Sequence, residues 1–261
     1  MCFPPGARPP EIPVDLRPIS GGAGGQDVVL SSIDGAAFRA FVASGHGDAG
    51  VVIAPDVRGL HPFYEELVER FASASIHAIA FDYFGRTAGT SRRPADFAFQ
   101  EHVTAARAHP ELIQADLAAA AVELTRRTGA SRIFVLGFCM GGRVAFNASA
   151  EQPRLAGVVG FYGVTRKRDD ADGDAPIDKV ARMRAPVLGL FGGGDQAIPS
   201  ADNETFGQAL SAHRVAHHLV TYPDAPHSFF DRGFAEWKDA CEDSWRRVLG
   251  FIAGGDPNAR K

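Results

Sequence analysis

The chain has 261 residues, 45% of them hydrophobic, which suits the core of one sizeable α/β domain better than two small ones. Its formal charge of −4, with acidic and basic residues mixed along the chain, argues against nucleic acid or an anionic membrane surface as partner. No apolar run approaches the roughly 20 residues of a membrane span, and three widely separated cysteines make neither a disulfide framework nor a zinc pattern.

The opening Met1-Cys2-Phe3-Pro4-Pro5 lacks the charged and apolar regions of a signal peptide. The expected compartment is therefore the cytoplasm, whose reducing conditions keep a thiol usable. Residues 1–26 are rich in proline and glycine and read as an irregular surface arm, 27–253 as a single domain, and 254–261 as a tail. Val28-Val29-Leu30 and Ala36 to Ala43 read as strands joined by a hairpin turn at Asp34-Gly35. The continuous apolar run Gly50 to Ala54 suits a strand buried on both faces. From Pro62, the residues Tyr64, Leu67, Val68 and Phe71 share one helical stripe, and Ile76 to Phe81 is the next buried strand.

Residues 83–109 read as polar and irregular. Pro110 opens a helix with Ile113, Leu117, Ala120, Ala121 and Leu124 as its buried stripe and Gly129 as its stop. Strands follow at Arg132 to Leu136, Leu155 to Tyr162, Val187 to Phe191 and His217 to Tyr222, with a charged insertion at 165–184 and a helix near 201–212. The last helix carries Phe234, Trp237, Cys241, Trp245, Val248 and Ile252 on one face. Strands alternating with helices predict a mainly parallel, doubly wound sheet with helices on both faces.

The chemistry gathers at Gly137-Phe138-Cys139-Met140-Gly141-Gly142, set between a predicted strand and a predicted helix. This has the form of the nucleophile elbow G-x-S-x-G of α/β hydrolases, with cysteine at the strained apex and glycines where a side chain would clash. A thiol nucleophile needs a base, and the base needs an orienting carboxylate. Asp195 follows the strand Val187 to Phe191 and His227 follows the strand ending at Tyr222, so nucleophile, acid and histidine arrive in the hydrolase order. Cys139 would attack an acyl carbon, His227 would move protons, and Asp195 would fix the imidazole tautomer. Asp224 and Asp231 stand as alternative acids. The oxyanion donors expected are the amides of Met140, directly after the nucleophile, and of Val57, in the loop after Val51 to Ala54. Cys241, on an apolar stripe, reads as a buried hydrophobe, and His217 and His218 read as strand residues.

From about Gly50 to Leu249 the chain resembles the dienelactone hydrolase family. The resemblance is carried by the Gly-aromatic-Cys-x-Gly-Gly elbow, by Tyr222 to Phe229 with its His227-Ser228-Phe229, and by Phe191 to Asp195. It implies an α/β-hydrolase fold and a monomeric or weakly associated enzyme with no metal or other cofactor, acting on a small ester or lactone. The family default is dienelactone, opened to maleylacetate. It also implies that a carboxylate after the third strand holds the resting thiol partly neutral; Asp56 stands there, where the family has the longer glutamate. Two arginines grip the substrate carboxylate in the family: Arg86 matches the first, and Arg232 lies one place beyond the second. A hydrolase fold that only binds a ligand, and a thiol redox protein, are the other readings of the same residues.

Overall fold

The structure is a computed structural model, describing residues 6–17, 24–94, 96–167, 175–231 and 235–261. Arg232, Phe234, Cys2 and the most charged part of the 165–184 insertion lie outside the described residues.

Among the described residues, eight strands form one sheet: β1 (Gln26–Ser31), β2 (Ala37–Ala43), β3 (Ala49–Ala54), β4 (His77–Phe81), β5 (Arg132–Phe138), β6 (Gly157–Phe161), β7 (Val187–Gly192) and β8 (His217–Tyr222). Their order across the sheet is β1-β2-β4-β3-β5-β6-β7-β8, antiparallel for β1/β2 and β2/β4 and parallel from β4 to β8. The parallel strands β3, β4, β6 and β7 are buried along their whole length, as unbroken apolar runs between two helical layers must be. The β1–β2 hairpin closes at Asp34-Gly35, where Gly35 has φ 84° and Asp34 Oδ1 accepts the amide of Ala36 at 3.1 Å.

The helices are α1 (Pro62–Ser73), α2 (Gly85–Ala88), α3 (Gln100–Ala108), α4 (Pro110–Thr128), α5 (Met140–Glu151), α6 (Ser200–Ala212) and α7 (Lys238–Gly254). Helices α1 and α7 meet through Phe71 and Trp245, whose rings lie 5.3 Å apart, while α4 packs on β3 and β4 and touches α5. Helix α4 buries Ile113, Leu117, Ala120 and Leu124 and ends at Gly129 in the left-handed region, φ 73°. Among the described residues no helix is long and apolar enough to cross a membrane.

Four stretches differ from the sequence reading. The span 83–109 is not irregular, because it holds α2 and α3. Neither has an apolar stripe; α3 buries none of its residues fully and packs through Val103, Ala106 and the ring of His102, stacked 5.0 Å from Phe97. Within 165–184, Pro176–Arg182 form a 3-10 turn whose Lys179 is buried against Glu151. The described part of the arm is docked: Ile12 is buried, Trp245 Nε1 donates to Pro10 O at 3.1 Å, and Arg246 pairs with Asp15 at 2.8 Å. The tail likewise folds back, with Arg260 on Asp243 at 2.8 Å and the Lys261 amide on Arg246 O at 3.1 Å. On α7, Cys241, Trp245, Val248 and Ile252 are buried, and Trp237 sits half-buried just before the helix.

Parallel strands deliver their following loops to one edge of the sheet. The loop after β3, the residue after β5, and the loops after β7 and β8 all arrive there. Chain order reverses direction between β3 and β5, the switch point where an open α/β sheet forms its crevice.

Candidate active site

Cys139 follows β5 directly and has φ 54° and ψ −111°, a strained conformation for a residue with a side chain. Its amide donates to Phe161 O at 3.0 Å on the neighbouring strand, which fixes the turn to the sheet. A Cβ on Gly137 would stand 1.9 Å from Gly141 O, and one on Gly141 would stand 2.0 Å from Ala54 O. Only glycine allows β3, β5 and α5 to approach this closely. Phe138 is locked beneath the elbow by rings of Phe161 (4.7 Å) and Tyr64 (5.7 Å). Cys139 thus stands half-buried at the N-terminus of the twelve-residue helix α5, whose dipole favours a negative sulfur.

His227 Nδ1 lies 2.6 Å from Asp195 Oδ2, and Cys139 hydrogen-bonds the same imidazole. The second Asp195 oxygen, Oδ1, accepts the amide of Ala197 at 2.8 Å, so the buried carboxylate is held at both ends. The loops carrying the pair are stitched together: the amides of Gly193 and Gly194 donate to Tyr222 O (2.7 Å) and Ala225 O (3.0 Å). Tyr162 packs on the His227 ring at 4.9 Å. Burial opposes the charged imidazole, but the hydrogen bonds and negative charges of Asp195 and Cys139 outweigh it and raise His227 from 6.5 to about 9. Of the alternative acids, Asp224 is exposed, and Asp231 is buried with Oδ1 3.4 Å from the amide of Arg8.

A cavity of about 120 Å³ opens on Cys139, lined by Val57, Arg107, Ile113, Met140, Arg143, Val144, Asn147 and Val164 among others. Val57 and Met140, the two residues whose amides are the expected donors, thus both line the cavity with Cys139. The amide of Met140, the first residue of α5, is one of those a helix leaves without an intrahelical acceptor. A wider cleft of about 810 Å³ lies over α4, lined by Ile33, Ala118 and Val122 among others, and Cys139 is not part of its lining.

Asp56 is completely buried beside Val57, its Oδ1 accepting the Arg58 amide at 2.8 Å. Arg86 is not brought to the cavity. It pairs with Asp34 at 3.0 Å and with the buried Asp116, and lines a separate small cavity with Tyr83 and His102. The arginines that line the cavity with Cys139 are Arg107, from the end of α3, and Arg143 of α5, neither of which the sequence marks as a site residue. Arg143 and Asn147 follow Cys139 at intervals of four, so helical spacing alone held the signal for them. Cys241 is buried on α7, its Sγ 3.3 Å from Phe229 O, and burial pushes its thiol up to about 12.

The sheet, its helices and the elbow after β5 define an α/β hydrolase, and the chain acts on carboxylic ester bonds. It belongs to the dienelactone hydrolase family, whose model matches residues 38–254. A protein of Salmonella typhimurium named "Putative carboxymethylenebutenolidase" is 32% identical over 208 residues, covering 78% of this chain and 76% of its own. A Bradyrhizobium protein named "Probable 2-oxo-3-(5-oxofuran-2-ylidene)propanoate lactonase" is 26% identical over 77% of this chain and 82% of its own. The crystal structure of a "Putative Dienelactone Hydrolase" from Klebsiella pneumoniae superposes with a TM-score of 0.76 at 27% identity, covering 89% of this chain and all of that one.

Proposed function

We propose that the chain hydrolyses a small ester or lactone through a thioester on Cys139, with His227 as acid and base and Asp195 as the residue that orients it. The observation that carries this reading is the 2.6 Å contact of His227 Nδ1 with Asp195, which leaves Nε2 for the thiol on the strained turn. The thiolate sulfur attacks the carbonyl carbon, and the oxyanion meets the amides of Met140 and Val57. The acyl–oxygen bond then breaks, and the imidazolium gives its proton to the departing alkoxide, which stays tethered to the acyl group when the substrate is a lactone. Water, losing a proton to His227, cleaves the thioester and restores the thiol.

The substrate class that fits is an ester or lactone bearing a carboxylate, dienelactone being the family default. Support comes from the two guanidiniums of Arg107 and Arg143 at the cavity, and from relatives named for a carboxymethylene lactone and a propanoate. Arg86, held by Asp34 and Asp116, has no part in this clamp.

The deciding experiment compares the protein with Cys139→Ala on an activated aryl ester and on dienelactone. Loss of about 10³-fold or more in kcat is expected. Activity that survives the substitution discards the thioester route.

A further inference from the structure

The residues directly after β3 form a tight turn whose hydrogen bonds nearly all involve Asp56. Its carbonyl accepts the amide of Gly59 at 3.1 Å, and its Oδ1 accepts the amide of Arg58 at 2.8 Å. Its own amide donates to Tyr64 Oη at 2.8 Å. The side chain is wholly buried, with His61 Nε2 3.6 Å from the same Oδ1 and the His61 ring edge-on to Tyr64 at 4.8 Å. The amides of Asp56, Arg58 and Gly59 are thus spent inside the turn and on its anchor. The amide that these bonds do not use is that of Val57, which lines the cavity with Cys139.

We propose that Asp56 is a positioning residue of the oxyanion loop, its side chain closing the turn that aims the Val57 amide at the reacting carbonyl. This rests on the reading of Val57 as an oxyanion donor given above. It differs from the role the family resemblance implies, in which a carboxylate at this place governs the resting thiol by its charge. The two roles ask for different chemistry. A side-chain turn needs an acceptor oxygen two bonds beyond Cβ and no charge, so asparagine serves as well as aspartate. Glutamate keeps the charge, but its extra methylene carries the oxygen past the Arg58 amide.

The test uses Asp56→Ala, Asp56→Glu and Asp56→Asn in the full chain, with melting temperatures recorded for each. For every variant, kcat and KM are measured on an aryl ester and on its thiono counterpart, whose sulfur is a poor acceptor of amide hydrogen bonds. Iodoacetamide alkylation of Cys139 is followed against pH. Alanine and glutamate are expected to lower kcat by about 10²-fold at nearly constant KM, the loss of one oxyanion donor. The ester-to-thionoester rate ratio should shrink equally, while the alkylation profile stays in place. Asparagine should recover most of the loss. The proposal is overturned if asparagine is as damaging as alanine, if glutamate retains activity, or if the alkylation profile of Asp56→Asn shifts. Should alanine fail to fold, the glutamate and asparagine pair decides alone. Failure of the thioester reading appears elsewhere, as activity surviving in Cys139→Ala, whatever the Asp56 variants do.

Discussion

His227 is held as a cation near neutral pH because two anionic partners overcome its burial. Asp195 supplies the first of these, through a hydrogen bond that also fixes which nitrogen faces the thiol. Asp195→Asn keeps the shape but withdraws the charge and offers Nδ1 the wrong partner. The expected loss in kcat is roughly 10²- to 10⁴-fold, and the imidazole should titrate below the present value of about 9. An NMR titration of the His227 ring, run beside kinetics, checks both. The sign of the linked stability follows. With the folded value raised above 6.5, the contribution is complete below pH 6.5 and is lost as pH rises through about 9. Unfolding of the Asp195→Asn variant should therefore show a weaker decline over that window than the parent. An unchanged ring titration, or kcat within a few fold of the parent, would return the acid's role to another carboxylate.

At the scale of elements, the sequence was most legible where a single strand meets its loop. Cys139, Asp195 and His227 each follow a strand, and parallel strands put such residues together whatever their separation along the chain. Arg86 also follows a strand, yet it stands apart from the Cys139 cavity, because its place is set by Asp116 of α4 and Asp34 of the hairpin, two elements far from it in sequence. Arg107 was hidden for a different reason. Helix α3 has no buried stripe, so the sequence of 100–108 reads as loop and its last turn as surface. Arg143 lies one turn into α5 from Cys139, with one guanidinium nitrogen donating to Arg166 O at 3.1 Å. If these two helices supply the carboxylate clamp, Arg107→Ala and Arg143→Ala should each lower kcat/KM for carboxylate-bearing esters by about 10- to 100-fold, the worth of a charged hydrogen bond. Neutral aryl esters should change by less than about threefold, because binding energy lost only to the charged group is lost only on charged substrates. The comparison with Arg86→Ala is decisive: a loss of carboxylate preference there, and not in the other two, would restore the original assignment.

At the scale of the whole molecule, the segment before β1 is tied to the site through aromatic contacts. Trp245 is 1% exposed and bonded to Pro10 O; its ring touches Phe230 at 5.4 Å, and Phe230 in turn lies 5.9 Å from Phe138, directly before Cys139. Composition concealed this docking, because proline-rich sequence with little periodicity gives no pattern from which to read what it covers. Ile12, at 2% exposure, is the one large aliphatic side chain that the described part of the arm buries. Its burial contributes about 1.5 to 3 kcal/mol, and the indole hydrogen bond adds about 1 kcal/mol. The ion pairs of Glu11 with Arg70 (2.6 Å) and Asp15 with Arg246 (2.8 Å) lie at the surface and add little. Removing residues 1–17 should then lower the melting temperature by roughly 5–16 °C, at about 2–4 °C per kcal/mol for a chain of this size. The chain has two tryptophans, and Trp237 is already half-buried, so iodide quenching of fluorescence should rise chiefly through Trp245. The loops carrying Asp195 and His227 are fixed by their own hydrogen bonds to one another, at 2.7 and 3.0 Å, so kcat should fall by less than about tenfold. A melting point moved by less than about 2 °C, with quenching unchanged, would mean that the arm's contacts are exchanged for equally good ones with solvent. A collapse of kcat with stability intact would instead place the arm, through Trp245 and Phe230, in control of the histidine loop.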